Sequence, residues 1–205
     1  MSTRRVFIAG TDTDVGKTVV AAILVRAWGA DYWKPVQTGA ADDPGDTAVV
    51  ARLAALTPER IHSPRHVFAA PLSPHAAAAS EGARIALSDF AAPDTDRPLV
   101  IEGAGGVLVP LNESALMIDL IERLEAPVIV VARSTLGTIN HTLLTLAALR
   151  ARSVAVRGVV LNGRPSPSNR KAIERFGEVT VLAEITRTEA VTPEWVEAMA
   201  AGLRD

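Results

Sequence analysis

Gly10-Thr11-Asp12-Thr13-Asp14-Val15-Gly16-Lys17-Thr18 follows the apolar run Val6-Phe7-Ile8-Ala9 and precedes Val19, Val20, Ile23, Leu24 and Ala27, which form an apolar stripe at helical spacing. An apolar strand, a loop closed by Gly-Lys-Thr and a helix behind it make a phosphate-binding loop. Successive backbone N–H groups cradle phosphate oxygens, and the helix N-terminus adds positive field. Lys17 neutralises the terminal phosphates and the Thr18 hydroxyl reaches Mg²⁺. The loop holds one residue more between Gly10 and Gly16 than the usual pattern allows.

Outward from this loop, apolar β-branched runs alternate with helical patterns. The runs are Tyr32–Val36, Leu99–Glu102, Val128–Ala132, Val159–Asn162 and Val179–Leu182; helices are expected over 46–56, 115–125, 138–151, 168–176 and 193–203. A short helix is expected at 76–79, and residues 40–45 read as a mobile loop. Strands apolar on both faces and separated by helices predict an α/β fold: a mostly parallel central sheet with helices on both faces, P-loop NTPase-like. Residues 1–205 read as a single domain without an internal repeat.

Composition narrows the function. The formal charge of −2 offers no basic nucleic-acid surface and no polybasic membrane anchor. The absence of cysteine excludes disulfides, thiolate metal sites and a cysteine nucleophile. The apolar stretch after Met1–Arg5 is too short for a signal-peptide core, and no apolar run is long enough to span a bilayer, so a cytoplasmic protein is expected. Among the 21 basic residues only Lys17, Lys34 and Lys171 are lysine. In a chain that otherwise uses arginine, a lysine marks a place for a compact ammonium. Lys171, within Asn169-Arg170-Lys171, reads instead as part of a solvated helix face.

Ligands of parallel sheets sit at the carboxyl ends of the strands, so the polar residue ending each strand carries the chemistry. Glu102 ends an apolar strand and opens Gly103-Ala104-Gly105-Gly106; opposite a P-loop, its carboxylate suits Mg²⁺, and the glycines let backbone approach a ligand. Lys34, held extended by Pro35, is a second ammonium for phosphate or carboxylate. Asp46 suits either a helix cap or the metal, with Asp42 and Asp43 as competitors. Asn162, before Gly163, suits either a nucleobase edge or a turn. The helix start at Leu136-Gly137-Thr138-Ile139-Asn140-His141 offers free N–H groups to a carboxylate. His141 has a weak claim to catalysis, and His75 and His62 less.

Taken together, the P-loop, Trp33-Lys34-Pro35-Val36-Gln37-Thr38-Gly39, Ser73-Pro74-His75, Glu102–Gly106 and Leu136–His141 resemble the dethiobiotin synthetase family in order and spacing from residue 4 to about 163. The family's P-loop has the same expanded form. The resemblance implies closure of a ureido ring in biotin synthesis from 7,8-diaminononanoate, CO₂ and ATP with Mg²⁺. It implies ATP contacts at Asp14, Val15, Gly16, Lys17, Thr18, Val19, Asp46, Glu102, Gly103, Ala104, Gly105, Asn162 and Gly163, with Thr18, Asp46 and Glu102 as metal ligands. Lys34 and Lys17 would be catalytic; Thr13, Lys34 and Thr38 would meet the diamine. Gly137, Thr138 and Asn140 would receive the substrate carboxylate across a homodimer interface. This chain has Asp14 where relatives often carry glutamate, and Thr38 where they often carry serine. Ala183-Glu184-Ile185-Thr186 stands where they commonly show Gly-x-Ile-Pro. The rival reading, a partition-type regulatory ATPase, expects a lysine at the position of Asp12.

Overall fold

The computed structural model describes residues 5–41 and 45–203. In chain order the elements are β1 (Arg5–Gly10), α1 (Lys17–Trp28), β2 (Asp31–Trp33), β3 (Val36–Gln37), α2 (Gly45–Leu53), β4 (Ile61–His62), β5 (His66–Val67) and α3 (Pro74–Ser80). Then follow β6 (Leu99–Gly106), α4 (Met117–Leu124), β7 (Val128–Arg133), α5 (Thr138–Ala151), β8 (Val156–Asn162), α6 (Pro167–Gly177), β9 (Val181–Ile185) and α7 (Pro193–Ala200). Seven strands form one sheet in the order β4-β2-β6-β1-β7-β8-β9, and every pairing is parallel.

The double apolar pattern of the strands produces two cores. Successive side chains point to opposite faces. Thus Val6, Ile8, Val100, Ile129 and Val131 pack beneath α1, α2 and α7. Phe7, Ala9, Ile101, Val130 and Leu161 pack beneath α3 to α6. Both faces are covered, as the near-continuous β-branched runs require.

Several boundaries differ from expectation for identifiable reasons. The strand expected over 32–36 breaks at Lys34-Pro35, because proline has no N–H to continue the ladder. The chain resumes as β3, which pairs with β5 in a separate two-stranded sheet. The last strand starts at Val181 rather than Val179: α6 runs on to Gly177, and Glu178 (φ 43°) turns the chain out of the helix. Ala183–Ile185, expected to follow the strand, are therefore part of it. Helix α2 ends at Leu53, just before the left-handed turn at Ala55 (φ 50°). In the loop expected at 40–45, residues 42–44 lie outside the described residues, so Asp42 and Asp43 are not placed, whereas Gly45 opens α2.

Candidate active site

Register brings the strand ends together. Trp33 lies beside Ile101 and Ile8 beside Glu102, so Lys34 leaves β2 next to the carboxylate of β6, with the P-loop on its other side. Together with the start of α2 and the segment 71–74 they enclose a cleft of about 770 Å³. Thr13, Asp14, Gly16, Lys17, Thr18, Lys34, Thr38, Asp46, Glu102, Ala104 and Gly105 all line it.

The P-loop takes its shape from left-handed residues at Asp14 (φ 55°) and Gly16 (φ 93°). A Cβ at Gly16 would lie 2.0 Å from Asn162 Nδ2, so only glycine fits there. Asn162 spends that amide on the loop itself, donating to the Val15 carbonyl at 2.9 Å. Lys17 Nζ donates to the Asp12 carbonyl at 3.0 Å. Burial lowers its pKa below the ordinary 10.5, against the raising influence of Glu102 and with Lys34 adding repulsion. A phosphate would find this ammonium poorly solvated and short of acceptors.

The carboxylates converge on Thr18. Its hydroxyl lies 2.8 Å from Asp46 Oδ1 and 2.9 Å from Glu102 Oε1. One hydroxyl proton can serve only one of these anionic oxygens at a time. Three hard oxygen donors thus meet, two of them carboxylates, a donor chemistry that fits a small divalent cation. Among the described residues no three or more His, Cys, Asp or Glu gather.

Lys34 is 3 % exposed and sits between the same carboxylates, 2.6 Å from Asp46 Oδ2 and 3.3 Å from Glu102 Oε1. Burial opposes its charge, but Glu102 and Asp46 outweigh that and hold its pKa above 10.5. Asp46 answers in kind: burial raises its pKa, yet Lys34 and Thr18 carry it below the ordinary value. Its carboxylate faces Thr18 and Lys34 from the first turn of α2.

Other expectations fare differently. Gly103 is required by packing, since a Cβ there would lie 2.6 Å from the Phe7 ring. Gly103, Asn162 and Gly163 do not line the cleft, nor do Gly137, Thr138 and Asn140. The last three open α5 beside a second groove of about 390 Å³, where His141 and Leu144 face Leu108 and Val109. His75 meets the Ser73 hydroxyl, His62 pairs with Asp31, and Lys171 is exposed on α6.

Sequence reasoning missed three supports. Gln37 Oε1 accepts the Asp46 N–H at 3.0 Å and so holds the start of α2. Arg133, ending β7, donates to Asp12 Oδ2 at 2.9 Å and to the Thr13 carbonyl at 3.2 Å, clasping the P-loop. Tyr32 donates its hydroxyl to Glu102 Oε2 at 2.8 Å; burial and that carboxylate's charge raise its pKa well above 10.0, so it stays a phenol. Gln37 and Arg133 were visible as polar residues within or beside a motif; nothing in the sequence marked Tyr32.

The chain is similar to known proteins over nearly its whole length. Residues 4–195 match the family described as an AAA domain. The chain is 61% identical over 189 residues to the ATP-dependent dethiobiotin synthetase BioD of Paramagnetospirillum magneticum, covering 92% of this chain and 91% of that protein. It is 47% identical to the BioD of Afipia carboxidovorans, over 97% and 94% of the two chains. It is also 55% identical to the biotin biosynthesis bifunctional protein BioCD of Bordetella avium, covering 95% of this chain but 42% of that longer protein. Among solved structures, a ParA family ATPase from Chlorobium tepidum TLS superposes with a TM-score of 0.58 at 12% identity, over 97% and 98% of the chains. The septum site-determining protein MinD of Pyrococcus horikoshii, complexed with Mg-ADP, gives 0.55 at 16% over 98% of each chain. At such identities the likeness shows the fold alone.

Proposed function

Because this chain belongs to the ATP-dependent dethiobiotin synthetase family, we propose that its cleft binds Mg-ATP beside 7,8-diaminononanoate and uses Lys34 and Lys17 to carry a phosphoryl group onto a carbamate. The chain is an ATP-dependent ligase of biotin biosynthesis that forms a carbon–nitrogen bond. The regulatory-ATPase alternative is not favoured by these relatives.

The chemistry follows from the side chains. One substrate amine adds to CO₂ and loses a proton, giving a carbamate. A carbamate oxygen attacks the γ-phosphorus of ATP and ADP leaves. The second amine then attacks the carbamoyl carbon of the mixed anhydride, phosphate departs with the oxygen that bridged carbon and phosphorus, and the ureido ring closes. No protein nucleophile is needed; positioning and charge neutralisation carry the rate. Lys17 leaves the Asp12 carbonyl for the β- and γ-phosphates. Lys34 holds the carbamate and the transferring oxygens, its charge maintained by Asp46 and Glu102. Thr18, Asp46 and Glu102 hold magnesium, which supplies charge neutralisation at the phosphates. Thr13 and Thr38 meet the diamine end, and Asn162 and Gly163, outside the cleft itself, are the proposed contacts to the base.

The substrate is long, and its carboxylate end needs a second anchor. Gly137, Thr138 and Asn140 supply it from the partner subunit of a homodimer. Support comes from their position outside the main cleft, beside a groove with exposed Leu108 and Leu144. No helix among the described residues is long and apolar enough to cross a membrane, and the proposed setting is the cytoplasm.

The observation carrying this reading is Lys34, buried between two carboxylates at the mouth of a P-loop. An isotope experiment tests it. With ¹⁸O-labelled bicarbonate, label should appear in the released phosphate; unlabelled phosphate would rule out attack by a carbamate oxygen.

A further inference from the structure

Glu102 is 1 % exposed in the middle of β6, which runs past it to Gly106, and its two oxygens have different surroundings. Oε1 meets Thr18 at 2.9 Å and Lys34 at 3.3 Å, both in the cleft. Oε2 is held from behind by the Tyr32 hydroxyl at 2.8 Å. Tyr32 is fully buried on β2, opposite Val100 of β6, and does not line the cleft. It touches neither the expected nucleotide nor the diamine, and the chemistry above gives it no part.

We propose that Tyr32 is a positioning residue that restricts Glu102 to a single ligand oxygen and thereby sets which divalent ion the site accepts. The inference rests on the reading that Thr18, Asp46 and Glu102 hold the metal of a metal–nucleotide complex. Magnesium demands near-ideal octahedral geometry and takes carboxylates through one oxygen, whereas calcium accepts more ligands and readily takes a carboxylate through both. For Glu102 to offer both oxygens to the cleft, its carboxylate must turn, carrying Oε2 away from the Tyr32 hydroxyl that holds it on the side outside the cleft. That abandons a hydrogen bond to a charged group and strands a phenol donor where no water reaches it. The penalty falls on calcium and not on magnesium. Tyr32 is 0 % exposed, so its hydroxyl has no solvent to turn to.

The test uses Mn²⁺ as the probe. Its binding to the protein–ADP complex is followed by electron paramagnetic resonance, and Mg²⁺ and Ca²⁺ are titrated in as competitors. Tyr32→Phe should narrow the preference for Mg²⁺ over Ca²⁺ by roughly tenfold, chiefly through tighter Ca²⁺ binding. An unchanged preference, with Mn²⁺ binding lost in Glu102→Gln, overturns the role of Tyr32 alone. Wild-type Mn²⁺ binding in both variants overturns it together with the metal reading beneath it.

A second measurement needs no substitution. Tyr32 is the only tyrosine in the chain, so tyrosine labelled with ¹³C at the hydroxyl-bearing carbon gives one resonance in the unaltered protein. That resonance should keep its hydrogen-bonded position when Mg-ADP binds. Movement to the position of a free phenol overturns the proposal, even if Tyr32→Phe does not fold.

Discussion

A single ammonium, Lys34, separates phosphoryl transfer to a carbamate from mere nucleotide binding. It approaches both carboxylates yet comes from a different strand than the P-loop, so its removal should strike chemistry harder than nucleotide affinity. Lys34→Ala should lower the rate of ring closure by roughly 10²–10³-fold, the usual loss for a preorganised charge donor, and leave ADP affinity within about threefold. Calorimetric titration with ADP and a product assay would check this; near-wild-type turnover would remove Lys34 from the mechanism. At this scale the sequence was informative wherever chemistry demands an unusual residue. Lys17 and Lys34 stood out by their rarity, and Glu102 by ending an apolar run. Tyr32 and Gln37 did not stand out, because their roles arise from which strand lies beside which, and an apolar or polar residue in a strand has many bland uses. That the Asp46 carboxylate faces Thr18 came only with the structure.

Helices and strands were legible where their pattern was long and lost where it was short. The stripe behind the P-loop and the patterns of α5 and β7 matched within a residue or so. The two-residue strands β3, β4 and β5 carry no periodicity to read, and Pro35 divided what looked like one strand. Helix α4 illustrates what fixes a boundary. Its expected start at 115 moved to Met117 because the Asp119 carboxylate accepts the Leu116 N–H at 2.6 Å while pairing with Arg152. Burial tends to raise the Asp119 pKa, but the Leu116 N–H and Arg152 bring it below 3.8. Since the folded pKa is depressed, the stabilisation is present above the unfolded value and is lost as pH falls through the folded one. Asp119→Ala should therefore cost about 1 kcal/mol at neutral pH. That difference from wild type should vanish in acid, as read by urea denaturation across the pH range. A constant difference down to low pH would contradict the role of the charge.

At the scale of the molecule, an all-parallel sheet brings the P-loop, Lys34, Asp46 and Glu102 to one edge, while the start of α5 lies outside the cleft they form. That separation is the reason a second copy is invoked. Mixing Lys34→Ala subunits with Asn140→Ala,Thr138→Ala subunits tests it. If each site takes its P-loop from one subunit and its carboxylate anchor from the other, mixed dimers regain one intact site, and activity recovers to roughly a quarter of wild type. No recovery would assign both sets of residues to the same subunit or remove the anchor. The expectation of a homodimer was beyond reach of residue patterning and came with the family resemblance, since exposed Leu108 and Leu144 look like ordinary surface in the sequence. The central claim, that this P-loop serves a synthetase, is tested most directly by following ADP and phosphate release from Mg-ATP with bicarbonate, with and without 7,8-diaminononanoate. The account predicts release that depends on the diamine and matches dethiobiotin formed; phosphate release at the same rate without the diamine would contradict it.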